Sequence, residues 1–330
     1  MRVAVVDIGT NSTRLLLADV EPDGTLEQLH RESIVTRLGD RVDATGRLSD
    51  EAIGRVFDTL AHYRELIDRH GAQATTAVLT SAVRDAANGA EFADRVRRDY
   101  GLDARTIGGD EEAELTFAGA TSERRDNGAR LAVVDIGGGS TEFVIGRGDV
   151  VDFHVSTQAG VVRQTERHLR GDPPARADVD ALRAEVAQII ASAVPRAVRE
   201  DVSDVIAVAG TATSCAAIEI ALEPYDPARV HGHILTRATA ERILEQMLAL
   251  TDDERRTVRG LHPDRAPTIV AGVAMLLEVF DAFGVQRLEV SEHDILRGAA
   301  LRLAAGAHDP VPAPSSTPSR REDGQMSDSS

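Results

Sequence analysis

The decapeptide Ala4-Val5-Val6-Asp7-Ile8-Gly9-Thr10-Asn11-Ser12-Thr13 returns 128 positions later as Ala132-Val133-Val134-Asp135-Ile136-Gly137-Gly138-Gly139-Ser140-Thr141, with eight of ten residues identical. Each copy opens with the β-branched run of a buried strand, closes it with an aspartate, turns through glycine and re-enters an extended segment. Those second segments read Arg14 to Val20 and Glu142 to Gly146. Two such hairpins in 330 residues predict a duplicated domain, because roughly 150 residues make one. The hairpins are expected to face each other across a cleft.

The flanking patterns extend the duplication. After the first hairpin the sequence predicts a strand over Leu26 to Val35 and a helix from Asp50 to about His70, with Ser49 as N-cap and Gly71 as its stop. A strand Thr75 to Ser81, a helix Ala90 to Tyr100, a strand Ala104 to Ile107 and a helix from Glu111 complete the half. The second half predicts strands at Leu131 to Asp135, Glu142 to Ile145 and Val150 to Val155, one long helix Ala177 to Arg199, a strand Val205 to Ala209 and a helix from Thr213. Glu223 to Gly232 reads as loop; helices at Ala238 to Leu250 and Thr268 to Phe283, a strand Arg287 to Val290 and a helix Asp294 to Ala305 follow. The expected architecture is α/β with mixed sheets, a first lobe over 1–126 and a second over 127–308. The last helix is free to pack back on the first lobe, and 309–330 read as a disordered tail of Pro, Ser and charge.

Composition removes several function classes. All 37 basic residues are arginine, so no lysine is present to serve a P-loop, a Schiff base or a general base. A net charge of −17 and 3% aromatics without tryptophan speak against DNA or RNA binding, which needs a basic footprint and stacking platforms. Cys215 is the single cysteine, which excludes an internal disulfide and a thiolate zinc cluster. Val3 to Val6 is too brief for a signal-peptide core. The uncharged stretch Val205 to Ile218 falls below the ~18 residues of a membrane span, so a cytoplasmic protein without membrane attachment is expected.

The turns carry the chemistry. Glycines without a Cβ let the backbone close on a ligand, and successive N–H groups in such a turn form an anion nest. Ser140 and Thr141 add hydroxyls, Asp135 stands just before the turn and Glu142 just after it. Carboxylates beside a phosphate nest require a divalent cation between the two, since bare anions repel. A third small-residue stretch, Ala209-Gly210-Thr211-Ala212-Thr213-Ser214, lies between strand and helix and reads as a further phosphate contact.

Finer motifs carry a family resemblance. They are Asp7-Ile8-Gly9-Thr10-Asn11-Ser12, Thr80-Ser81-Ala82-Val83-Arg84-Asp85-Ala86, Gly109-Asp110-Glu111-Glu112-Ala113, Asp135-Ile136-Gly137-Gly138-Gly139-Ser140-Thr141-Glu142, Gly160-Val161-Val162-Arg163 and His262-Pro263-Asp264-Arg265-Ala266. Over roughly residues 1 to 306 the chain resembles the exopolyphosphatase/guanosine-pentaphosphate phosphatase family, in its short form. The paired turns resemble the ribonuclease H-like fold of actin, hexokinase and Hsp70 more broadly.

The resemblance implies Mg²⁺-dependent removal of a terminal phosphate from polyphosphate, or from guanosine pentaphosphate or another nucleotide, with Mn²⁺ as a substitute ion. It implies Glu112 as the base that prepares the attacking water; Asp135, Glu142 and Asp7 at the metal; and Asn11, Ser12, Arg84, Gly137, Gly138, Gly139, Ser140, Thr141, Gly210 and Thr211 at phosphate. Arg163 and Arg265 match motifs along the substrate channel. A homodimer is common among relatives and is left open. The chain departs from the family pattern at Arg41, where glycine is usual, at Pro267, where an acid is common, and in having no lysine, so an arginine-rich groove is expected.

Other residues read as structural. His231-Gly232-His233 has no third metal ligand nearby in sequence, His293 is placed to be capped, Cys215 is expected buried and no Gly-x-Ser-x-Gly elbow occurs. An ATP-dependent small-molecule kinase and a non-catalytic polyphosphate or alarmone binder stay open beside the hydrolase.

Overall fold

The computed structural model describes residues 1–125, 128–148 and 150–308, with the side chains of 307 and 308 left aside. The segment expected to be a disordered tail lies outside the described residues.

The first half builds a five-stranded mixed sheet. Strands β1 (Arg2–Ile8), β2 (Ser12–Val20) and β3 (Leu26–Val35) are antiparallel neighbours. A short α1 (Val42–Thr45) and the long α2 (Asp50–His70) lead to β4 (Ala74–Leu79), which returns parallel to β1. Then come α3 (Ser81–Asp85), α4 (Gly89–Tyr100), β5 (Asp103–Thr106) and α5 (Gly109–Thr121), giving the strand order β3-β2-β1-β4-β5. Ser49 caps α2 by accepting from Ala52 N at 3.2 Å, and Gly71 ends it at φ 67°.

The second half repeats the plan with β6 (Leu131–Ile136), β7 (Thr141–Arg147) and β8 (Val150–Thr157), then α6 (Val161–His168), α7 (Arg176–Ala193) and α8 (Arg196–Arg199). After these, β9 (Asp204–Val208) lies parallel to β6 and runs into α9 (Ala209–Glu219). The remaining elements are α10 (Pro227–Val230), β10 (His233–Thr236), α11 (Arg237–Leu248), α12 (Asp252–Arg255), α13 (Ala266–Phe283), β11 (Arg287–Val290) and α14 (Ile295–His308). The sheet order is β10-β11-β9-β6-β7-β8, so the duplicated core is the same antiparallel triplet with a parallel strand beside it.

Several boundaries differ from the sequence reading. The long helix expected over Ala177 to Arg199 breaks after Ala193, because Pro195 has no N–H to donate and forces Val194 out of the helical region. The strand expected to reach Ser81 stops at Leu79, and Ser81 opens α3 instead. Within the expected loop, Asp226 caps the proline-initiated α10. Helix α6, whose apolar positions are few, and the edge strand β10 were invisible to periodicity. Arg41 adopts φ 58°, the left-handed conformation that explains why glycine suits this position. Pro267 sits in the first turn of α13, where a missing N–H costs nothing.

Helix α13 is predominantly apolar, Glu278 and Asp281 being its charged residues, and the span 263–283 is long and apolar enough to cross a membrane. Its residues are mostly buried, among them Val270, Val273, Leu276 and Phe280, so it serves as the central core helix of the second half. Two helices tie the halves together. On α5, Leu115 packs with Val3, Val5 and Ile295, while Ala113 and Phe117 pack against Val133, Val144 and Val208 of the second sheet. Helix α14 returns across α5, β1 and β2. The two helices cross backbone to backbone: a Cβ on Gly119 would lie 2.0 Å from Asp294 O, and one on Gly298 1.8 Å from Leu115 O. Helix α5 is thereby wedged between the sheets with its first turn at their shared edge.

Candidate active site

The two glycine turns adopt one local structure. Gly9 N donates to Ser12 O at 3.0 Å and Gly137 N to Ser140 O at 3.0 Å. The turns touch: a Cβ on Gly139 would lie 2.8 Å from Thr10 Oγ1 and 2.9 Å from Ser81 Oγ, and one on Gly138 2.9 Å from Asn11 N. These approaches are what exclude larger residues at the two positions. The carbonyls of Gly137 and Gly138 accept from Val161 N and Val162 N, both at 2.9 Å, so the turn also caps α6.

Between the turns lies a cavity of ≈ 80 Å³. Asp7, Asn11, Ser12, Glu112, Asp135, Gly137, Gly138, Ser140, Glu142, Gly210, Thr211 and Arg265 line it, all of them expected from sequence. Four expected residues stand outside the lining. Gly139 packs on Thr10 and Ser81, and Thr141 turns into the sheet to donate its hydroxyl to Ala159 O. Arg84 reaches the site through Glu112, donating to Oε2 at 3.1 Å and to Ile107 O at 3.1 Å. Arg163 holds Gly139 O at 3.0 Å and otherwise pairs across the cleft mouth.

The duplication explains the charge pattern. In the first hairpin Asp7 is paired in register with Arg14; in the second, Asp135 is paired with Glu142. Arg14 and Glu142 are therefore equivalent positions, 128 residues apart, carrying opposite charge. Arg14 neutralises the first hairpin, with Nε 2.7 Å from Asp7 Oδ2 and an ion pair to Asp294 at the start of α14. Arg31 also donates to Asp294 at 2.9 Å. Among the described residues no ion pair joins Asp135 or Glu142 to an arginine, although Arg14 still attracts Asp135 through space, and Glu142 accepts from Ser156 Oγ at 2.9 Å.

The proton affinities follow. Burial pushes Glu112 up to about 7, with Arg84 pulling it down and the charges of Asp135 and Asp7 pushing it further. Burial lifts Asp135 to about 7 against the pull of Arg14. Glu142 lies well above its ordinary value through burial first and then Glu112 and Asp135. Asp7 is raised as well, burial outweighing Arg14, and its Oδ1 is buried without a hydrogen-bond partner. Asp294 goes the other way, because Arg14 and Arg31 overcome its desolvation.

The inner cavity thus carries four carboxylates against Arg14 and Arg265, so its lining is acidic rather than arginine-rich. Such a set is stable only with added positive charge, as protons or as a cation. The orphaned Asp7 Oδ1 and the uncompensated Asp135–Glu142 pair fit a hard divalent ion, whose preferred ligands are carboxylate oxygens.

Helix α9 begins at Ala209, four residues earlier than expected, so Gly210 and Thr211 belong to its first turn. Gly210 allows the Arg265 guanidinium to lie on the helix backbone; a Cβ there would be 1.4 Å from Nη1. Arg265 is half-buried, its proton affinity lowered by desolvation and by Arg14. A second chamber of ≈ 300 Å³ adjoins this arginine, sharing Arg14, Gly210, Ser214 and Arg265 with the first and lined further by Val35, Tyr225 and His262.

Arg14, Thr10, Ser81, Arg31 and Asp294 escaped the sequence reading. The repeat held a signal for Arg14, since it aligns with Glu142. Asp294 carried none, because α14 reaches the site only through the tertiary fold. Away from the cleft, Glu123, His231 and His293 form a group that could hold a metal ion. The group takes only His231 from the histidine loop, while His233 pairs with Glu219 at 2.8 Å. Arg297 donates to Glu123 at 2.6 Å, and the His231 and His293 ring centroids lie 4.0 Å apart with the planes tilted by 31°.

The model of the Ppx/GppA phosphatase family matches residues 16–304. The chain belongs to that family, and its paired mixed sheets repeat one α/β plan. It is 40% identical to Exopolyphosphatase 2 of Mycobacterium tuberculosis over 315 residues, 92% of this chain and 98% of that protein. The crystal structure of the Aquifex aeolicus family member superposes with a TM-score of 0.78 at 32% identity, covering 94% of this chain and 99% of that one. An exopolyphosphatase from Cytophaga hutchinsonii superposes at 0.84 with 27% identity, covering 93% and 98%.

Proposed function

We propose that the chain is an exopolyphosphatase that hydrolyses the terminal phosphoanhydride bond of polyphosphate in the cytoplasm, with Mg²⁺ as its ion and Mn²⁺ as a substitute. The observation that carries this is the placement of Glu112: a buried carboxyl with a pKa of about 7, at the junction of two phosphate-type turns. A base poised near neutrality is half-available at working pH and close in affinity to the proton it must take.

The roles follow from position. The backbone of Gly137 and Gly138, with Asn11, Ser12 and Ser140, cradles the terminal phosphate. Thr211 and the first turn of α9 face it from the other side, and Arg265 meets the next phosphate oxygens. Arg84 orients Glu112 through its 3.1 Å bond, and Glu112 accepts the proton of the attacking water. Asp135 and Glu142 would hold the ion, which supplies charge neutralisation to the leaving phosphate. Asp7, half engaged by Arg14, contributes its free oxygen. Phosphoryl transfer has a loose transition state, so positioning and charge carry most of the acceleration. We place the lobe limits at 1–126 and 127–308, with α14 shared between them.

The second chamber favours one further reading, in which the substrate ends in a nucleoside, as in guanosine pentaphosphate. Its lining mixes Tyr225, Pro227 and Val35 with arginines, which suits a ring system better than a run of phosphates. Phosphate release is to be measured from polyphosphate of resolved chain length and from guanosine pentaphosphate in parallel, with and without Mg²⁺. Mg²⁺-dependent release from polyphosphate supports the first reading, and release confined to the nucleotide supports the second. Binding without release from either rejects a hydrolase.

A further inference from the structure

Charge bridges the mouth of the cleft. From the second half, α6 presents Arg163 and Arg167; from the first, α1 presents Asp43 and α3 ends in Asp85. Arg163 forms an ion pair with Asp43 and lies 3.4 Å from Asp85, while Arg167 reaches Asp43 at 3.7 Å and pairs with Glu185 of its own half. Arg41 N donates to Glu166 Oε1 at 3.3 Å alongside. Arg163 is fixed on the glycine turn, its Nε donating to Gly139 O at 3.0 Å, so its two terminal nitrogens are free to choose an anion. Behind the bridge the cavity of ≈ 80 Å³ has room for a handful of waters rather than a chain of phosphates.

A phosphate presents oxygens to a guanidinium fork much as a carboxylate does. We infer that Asp43 is a specificity-determining residue: its carboxylate occupies the place of a substrate phosphate on Arg163, and an entering phosphoanion must displace it. This rests on the phosphohydrolase reading above. Asp43 is tethered, so it competes at an effective concentration of order mM, which an anion meeting Arg163 alone does not overcome. A polyanion that also meets Arg265 and the glycine turn does overcome it. The residue thereby discriminates in favour of substrates that span several contacts. Its removal is structurally mild, because Val42 rather than Asp43 is the buried residue of the four-residue α1.

The test uses Glu112→Gln protein, which retains substrate without turning it over. Its affinity for tripolyphosphate is measured by calorimetry, with and without Asp43→Asn, across a range of NaCl concentrations. Asp43→Asn is expected to tighten binding about three- to tenfold. It should also steepen the salt dependence, since Arg163 then gains an anion instead of exchanging one for another. In otherwise wild-type enzyme it should lower KM with kcat unchanged, and Asp43→Glu should keep wild-type behaviour. Equal or weaker affinity with an unchanged salt slope overturns the inference, as does an Asp43→Glu variant that behaves like Asp43→Asn. If Glu112→Gln protein binds no tripolyphosphate, the phosphohydrolase reading fails too; binding indifferent to Asp43 overturns this inference alone.

Discussion

Replacing Glu112 with glutamine should damage the enzyme and stabilise the protein. Glu112 is only 8% exposed, and its carboxyl is carried from an ordinary 4.5 to about 7. The folded chain therefore holds this proton more tightly than the unfolded chain does. Its charged form is penalised little below pH 4.5, increasingly as pH rises toward 7, and fully above that. The span from 4.5 to about 7 corresponds to about 3 kcal/mol at pH 8 in metal-free protein. Glutamine is uncharged at every pH and keeps the shape, so Glu112→Gln should recover most of this, raising Tm at pH 8 by roughly 3–5 °C. At pH 5 the gain should nearly vanish. The same variant should lose roughly 10²–10⁴-fold in kcat. Scanning calorimetry in EDTA at pH 5 and pH 8, beside phosphate release at saturating substrate, reads both effects. Near-normal turnover would reject Glu112 as the base, and a Tm change that ignores pH would reject burial as the origin of its proton affinity.

Two further outcomes follow from the same geometry. Gly298→Ala places a Cβ 1.8 Å from Leu115 O, a backbone atom that cannot swing aside, so α14 must move off α5. Urea unfolding should show a loss of about 1–3 kcal/mol. Because α5 carries Glu112, kcat should fall as well; unchanged stability would mean that the helices do not cross this closely. Added Mg²⁺ should raise Tm at pH 8 and have much less effect at pH 5.5, because Glu112, Asp135 and Glu142 all bind protons more tightly than usual and release them only on the alkaline side. An equal rise at both pH values would place the ion elsewhere, for instance at Glu123, His231 and His293.

Much of the site was legible because duplication is written in the chain. The repeated Asp-Ile-Gly announces two hairpins, and the register pairs Asp7 with Arg14 and Asp135 with Glu142 as the repeat spacing implies. Strongly amphipathic helices such as α2, with Ser49 and Gly71 at its ends, were readable for the same reason: their signals are local. Helix α6 and strand β10 were not, since the packing that stabilises each comes from distant neighbours, the glycine turn for one and β11 for the other.

Local sequence sufficed wherever a few consecutive residues dictate backbone and charge: the turns, the acidic start of α5 and the α/β alternation. The site's electrostatics needed the folded chain. Desolvation depends on what covers a group, and it is the wedging of α5 between two sheets that turns Glu112 from a helix-start acid into a buried one of nearly neutral pKa. Arg14, Arg31 and Asp294 meet across 263 to 280 positions of sequence, and Asp43 meets Arg163 only because the halves close on each other. Pairings of that kind arise from contacts between residues far apart in the chain, which no local pattern encodes.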